Sequence, residues 1–224
     1  MYNLAREPPG GAHDDGSGAG TRSVGAGGSG RMARVTETSP SRTWLIRVPR
    51  GLVVLVGAPA SGKTSFVRAL IARGQVDEGA VISSDRIRAG LFGTAPVSDA
   101  ADARVFEERD RRIVARLAAG RCAIAESTNV TPEARARLMA IARRFDAPVT
   151  ALRFDPDVAG LLRQNAERGR PDTTSADVHA YAAVMARHAT AEQLRSEGVA
   201  AVHDVPGRAQ GTTPAEAAAW FSVE

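Results

Sequence analysis

The sequence predicts an α/β protein, a doubly wound fold with a five-stranded parallel sheet and helices on both faces. Three observations carry this. Short, wholly apolar runs recur from Trp44 onward, as strands buried on both faces require. Between them lie longer segments with apolar residues at helical spacing. Glycines stop several of those segments, notably Gly74 and Gly120. Alternating strands and helices imply a parallel sheet whose ligand lies beyond the carboxyl ends of the strands.

Taken in order, Leu52-Val53-Val54-Leu55-Val56 is the first and central strand. Thr64 to Arg73 is a helix with Phe66, Val67, Leu70 and Ile71 inward. Ala80-Val81-Ile82 is the second strand, followed by a short helix from Asp85 to Leu91 and a turn from Gly93 to Ser98. Asp99 to Ala119 is a long helix with Phe106, Ile113, Val114 and Leu117 facing the core. Cys122 to Ala125 is the third strand. Thr131-Pro132 opens the next helix, with Thr as N-cap and Pro at the first helical position. Val149 to Phe154 is the fourth strand. Two Arg-containing polar helices follow, about 157–168 and 175–197, then a fifth strand from Val199 to Val202 and a last helix from Pro214 to Phe221.

The 224 residues suit one domain with extra segments, and 43% hydrophobic content suffices for a core. Aromatics at 4% leave that core to Val, Leu, Ile and Ala. Residues 1–42 are Gly/Ser-rich and read as a disordered tail, with Met32 as an alternative start that would make much of the tail a gene-model artefact. The folded domain is then 43–224. One cysteine, Cys122, excludes an internal disulfide and reads as a core residue. His179, His188 and His203 are isolated and read as structural or surface residues. No apolar run approaches a membrane span and no secretory h-region is present, so a cytoplasmic location without membrane contact is expected. The net charge of +4 comes with arginines scattered among nearly as many acids. Codon bias is one explanation for that arginine use and nucleic-acid binding the other.

Of the 29 basic side chains only Lys63 is a lysine. It sits in Gly57-Ala58-Pro59-Ala60-Ser61-Gly62-Lys63-Thr64, which fits G-x-x-x-x-G-K-[ST] and runs on into Ser65. The loop follows a buried strand and opens a helix, so its N–H groups can cradle phosphate. A compact ammonium reaches between phosphates where a planar guanidinium is too wide. Thr64 offers a hydroxyl to Mg²⁺.

Asp85 follows the second strand, on the rim that carries the phosphate loop. It is either a base for an attacking hydroxyl or the N-cap of its helix. Arg88, one turn on, either binds an acceptor phosphate or is solvated. Glu126, at the end of strand three, either orders water on Mg²⁺ or is part of a polar turn with Ser127-Thr128-Asn129. Arg163 to Pro171, containing Gln164, Arg168 and Arg170, is either a lid over the phosphates, within about 157–190, or a solvated helix face.

These pieces in this order resemble the 5′-OH polynucleotide kinase family, above all the kinase module of bacterial polynucleotide kinase-phosphatase and related phage end-healing enzymes. The likeness runs from about Leu52 to Val205. Its motifs are the phosphate loop, Ile82-Ser83-Ser84-Asp85-Arg86-Ile87-Arg88, Ala125-Glu126-Ser127-Thr128-Asn129-Val130, the Arg163 to Pro171 stretch, and the tract from Arg187-His188 to Val199. The resemblance implies a P-loop kinase using ATP and Mg²⁺. Asp85 would be the general base on a 5′-hydroxyl, Arg88 would hold the acceptor's 3′-phosphate, and Lys63 and Arg168 would stabilise the transition state. Two positions depart from the family pattern: Glu126 stands where Asp is usual, and Gln164 where a second lid arginine is usual. Relatives of this layout also phosphorylate small hydroxyl compounds, and a nucleotide-binding regulator without turnover is the reading from another class.

Overall fold

The computed structural model describes residues 45–93, 98–169 and 173–224. The expected tail at 1–42 with Met32, the middle of the Gly93–Ser98 turn, and Arg170-Pro171 lie outside the described residues. The strands are β1 (Ile46–Val48), β2 (Leu52–Gly57), β3 (Val81–Ser83), β4 (Ala123–Glu126), β5 (Val149–Phe154), β6 (Ala201–Asp204) and β7 (Phe221–Val223). The helices are α1 (Lys63–Ala72), α2 (Ser84–Phe92), α3 (Asp99–Ala118), α4 (Pro132–Arg143), α5 (Val158–Arg168), α6 (Ser175–His188), α7 (Ala191–Ser196) and α8 (Pro214–Ala219).

The central strand forms where the sequence is apolar at every position, and all six residues of β2 are buried. It pairs in parallel with β4 on one side and β5 on the other, giving a five-stranded sheet in the order β3-β4-β2-β5-β6. The register aligns the carboxyl ends: Ser83 faces Glu126, Gly57 faces Phe154, and Arg153 faces Asp204. That rim carries the candidate site.

Four expectations need correction. First, β1 and β7 form a separate two-stranded parallel sheet, Ile46 opposite Phe221, where the sequence pattern placed the end of a helix. Second, the core is not built from aliphatics alone. The Phe66 ring sits edge-on to Phe154 and to Phe221, both at 5.4 Å, a geometry that aromatic quadrupoles favour. Third, the inward face of α3 is only partly the expected one: Ile113 and Leu117 are buried as expected, joined by Asp102, Val105, Arg109 and Arg116, whereas Phe106 and Val114 are half-buried. The arginines are tolerated there because they are satisfied. Arg116 donates to the Cys122 carbonyl at 2.6 Å and to both Asp77 carboxylate oxygens, and Arg109 donates to Asp110. Fourth, the expected helix 175–197 is two, because Thr190 caps a new start at α7.

Cys122 is half-buried just before β4, and burial pushes its thiol pKa up. His179 is exposed, and His188 and His203 are half-buried. Arg135 of α4 is almost wholly buried. It donates to Glu197 at 2.7 and 2.6 Å, to the Asn129 carbonyl at 2.9 Å and to the His188 carbonyl at 2.6 Å, joining α4 to the α6–α7 region.

Candidate functional site

Sterics fix the loop between β2 and α1. A Cβ on Gly57 would lie 2.7 Å from Ser61 Oγ and 2.8 Å from the Phe154 carbonyl oxygen, which belongs to a paired backbone and cannot move aside. Gly62 takes φ of 98°, open to glycine. Ala60 also has positive φ, 66°, at a buried position, so the loop holds local strain. Lys63 opens α1 and is itself buried. Its Nζ donates to the carbonyls of Gly57 (2.8 Å) and Ala58 (2.7 Å) and to Ser61 Oγ (3.2 Å). Burial lowers its pKa to about 7; the carboxylates of Glu126 and Asp85 oppose that, and the Arg168 guanidinium adds to it. Thr64 and Ser65 follow, both half-buried.

On the β3 side of the rim, the N-cap of α2 is Ser83, whose hydroxyl accepts from the Arg86 N–H. Asp85 is therefore not the cap. It is the second residue of α2, its side chain exposed at the rim. Arg88 is not solvated either: it forms an ion pair with Asp102 of α3, while its Nη1 is buried with no hydrogen-bond partner among the described residues. Two nearby residues were missed from sequence. Asp102 sits on a helix face that reads as polar. Tyr181 lies in the ordinary apolar stripe Val178–Tyr181–Met185 of α6. Burial, and the carboxylates of Asp177, Asp102 and Asp85, raise the Tyr181 phenol pKa.

Glu126 is buried at the end of β4, opposite Ser83. The turn after it clasps the phosphate-loop strand. The Gly57 N–H donates to the Thr128 carbonyl at 2.9 Å, and Asn129 Nδ2 donates to the Leu55 carbonyl at 2.8 Å and to that of Ala125 at 3.3 Å. Asn129 adopts φ of 48°, a conformation Asn tolerates better than most residues.

On the other side of the loop lies a cleft of about 550 Å³. Ser61, Gly62 and Ser65 form its floor, Gln164 and Arg168 of α5 one wall, and the segment after β6 together with Trp220 the other. Gln164 and Arg168 are four residues apart and so share one helix side. Arg163 is exposed outside this cleft, and Arg170 lies outside the described residues. The cleft also holds Arg153 and Arg208, which no local sequence signal marks; Asp204 and Glu167, which pair with them, come from distant segments.

A glycine loop that follows a buried central strand, opens a helix and lies at the carboxyl rim of a parallel sheet defines a P-loop nucleotide-binding domain. Residues 52–194 match an AAA domain, and the chain belongs to that family. No curated protein matches the sequence. Among solved structures, a chain of the Pnkp1/Rnl/Hen1 RNA repair complex is 19% identical with a TM-score of 0.53, covering 66% of this chain and 46% of its own. This chain thus spans about half the length of that relative, and the likeness shows the fold. A putative kinase from Chloroflexus aurantiacus is 19% identical with a TM-score of 0.49, covering 59% of this chain and 74% of its own. Shikimate kinase from Acinetobacter baumannii is 13% identical with a TM-score of 0.48, covering 76% and 89%. Among the described residues no helix is long and apolar enough to cross a membrane.

Proposed function

We propose that the protein is an ATP-dependent phosphotransferase that moves the γ-phosphate to a hydroxyl acceptor, with a polynucleotide 5′-OH as the favoured acceptor. One observation carries this reading: the sheet brings buried Lys63 at the head of α1, buried Glu126 at the end of β4 and Asp85, two residues past β3, to one rim. A phosphate loop alone accounts for nucleotide binding. A carboxylate beside the lysine but outside the lining of the nucleotide cleft adds what transfer to a hydroxyl needs.

In this reading the loop from Gly57 to Ser65 and Lys63 hold the phosphates. Thr64 and Glu126 supply a hydroxyl and a carboxylate, the hard oxygen donors that Mg²⁺ prefers. Bound there, Mg²⁺ would neutralise phosphate charge. Asp85 accepts the proton as the acceptor oxygen attacks the γ-phosphorus in line. Arg168, with Lys63, stabilises the charge that develops on the transferring group, and Arg170 joins the nucleotide-binding residues. Arg88, its guanidinium held by Asp102, is the group for an anionic part of the acceptor. The likeness to a chain of an RNA repair complex is the reason to test nucleic-acid ends first. A small-molecule acceptor is the second reading, favoured by arginines that are scattered among nearly as many acids and form no basic stripe.

The test is transfer of labelled γ-phosphate to 5′-OH oligonucleotides and to a panel of small alcohols, at low and high salt. Transfer to the oligonucleotides, weakening steeply with salt, is expected. Transfer to a small molecule alone would sink the acceptor assignment and keep the class. Asp85→Asn should cut transfer by roughly 10²-fold or more and spare ATP binding. If wild type transfers to no acceptor and the variant behaves like it, the protein is a nucleotide-binding regulator instead.

A further inference from the structure

We propose that Arg208 is a ligand for the nucleotide's polyphosphate and that Glu167 holds it in reserve. The proposal rests on the reading that the cleft takes a nucleotide. Three guanidinium groups line that cleft, from Arg153, Arg168 and Arg208. Arg153 is committed: it donates to Asp204 at 2.6 Å, to the Ala189 carbonyl at 2.9 Å and to Asp155 at 3.3 Å. On α5 the residue one turn before Arg168 is Gln164, which brings no charge to the wall. Arg208 enters from the opposite wall, in the short turn after β6, and reaches across to Glu167 of α5 at 2.8 Å.

Both side chains of that pair are exposed, 65% and 59%, so the pair is screened by water and holds weakly. A polyphosphate brings several negative charges and the oxygen geometry that guanidinium groups bind best, so it displaces a single carboxylate. The turn is pinned by the Gly207 N–H donating to Gln210 Oε1 at 2.9 Å and the Thr212 N–H donating to the Gly207 carbonyl at 3.1 Å. Glu167 and nucleotide are therefore rivals for one cation, and the ion pair spans the cleft when the carboxylate has it.

The two partners should respond with opposite signs. Binding of ATP, ADP and adenosine is titrated calorimetrically with Mg²⁺ and without any acceptor. Arg208→Gln should weaken ATP about tenfold, ADP less, and adenosine not at all. Glu167→Gln should tighten ATP two- to fivefold at low salt, roughly the weight of an exposed ion pair, and have no effect in an Arg208→Gln background. Unchanged ATP affinity in Arg208→Gln, an equal loss for adenosine, or weaker ATP binding in Glu167→Gln would each overturn the proposal. Failure of wild type to bind ATP would instead sink the nucleotide reading, and this proposal with it. Failure to phosphorylate any acceptor would leave it standing.

Discussion

Nucleotide binding should take up a proton at Lys63. With the pKa near 7, about nine in ten of these side chains are neutral at pH 8 in the free protein. Phosphate oxygens beside Nζ favour the charged form. Binding at pH 8 should therefore absorb about 0.9 proton, and the association constant should fall about tenfold per pH unit above 7. Between pH 7, where half are already neutral, and pH 9 the loss comes to about fiftyfold, or about 2.3 kcal/mol. Calorimetry of Mg-ADP binding in two buffers of different ionisation enthalpy reads the proton count directly, at a pH where the nucleotide's own phosphates are already ionised. The neutral amine should also react with amine-directed reagents at pH 8, in a peptide whose only lysine is Lys63, and nucleotide should protect it. No proton uptake would mean that Glu126 and Asp85 keep the ammonium charged despite burial, and the electrostatic reading of the site would fall.

The same burial affects stability. The folded state binds this proton less tightly than the unfolded chain, so the Lys63 contribution to stability should rise with pH from about 7 to 10.5, seen as an increase in the denaturant midpoint. Gly57→Ala should abolish nucleotide binding while far-UV circular dichroism stays folded, because the added methyl displaces the loop from the Phe154 carbonyl. Asn129→Ala should cost roughly 2–3 kcal/mol in denaturant melts, from the lost bond to the Leu55 carbonyl and the positive φ. Arg135→Ala should cost roughly 3–5 kcal/mol and lower Tm by about 10 °C, since it strands the Glu197 carboxylate and two buried carbonyls.

Which parts were legible from sequence follows from what each residue must do alone. Gly57 and Gly62 are dictated by local sterics, so their spacing is visible in a one-dimensional string. The buried strands are legible for the same reason, as β2 needs apolar residues on both faces. The α3 face was misread because periodicity counts apolar residues, whereas Arg109, Arg116 and Asp102 turn inward on partners from Asp110, Asp77 and Arg88. The cap reading of Asp85, one of the two left open for it, falls two residues late: Ser83 ends its strand in extended conformation and caps first. The break at Thr190 lies in an Ala-rich stretch with no Gly or Pro to mark it. Arg208 and Glu167 stand 41 residues apart, and only the fold brings them across one cleft.

The pairing of β1 with β7 has a mechanical consequence. The Ile46 N–H bonds to the Trp220 carbonyl and the Glu224 N–H to that of Val48, so the two strands run side by side in the same direction. A pull on whatever precedes Ile46 against whatever follows Val223 loads these bonds in shear, together, rather than peeling them one at a time. Beneath them, Phe221 packs edge-on against Phe66 in the helix that begins with Lys63. Tension between the two ends of this domain is therefore felt first at a clamp seated on the phosphate-loop helix.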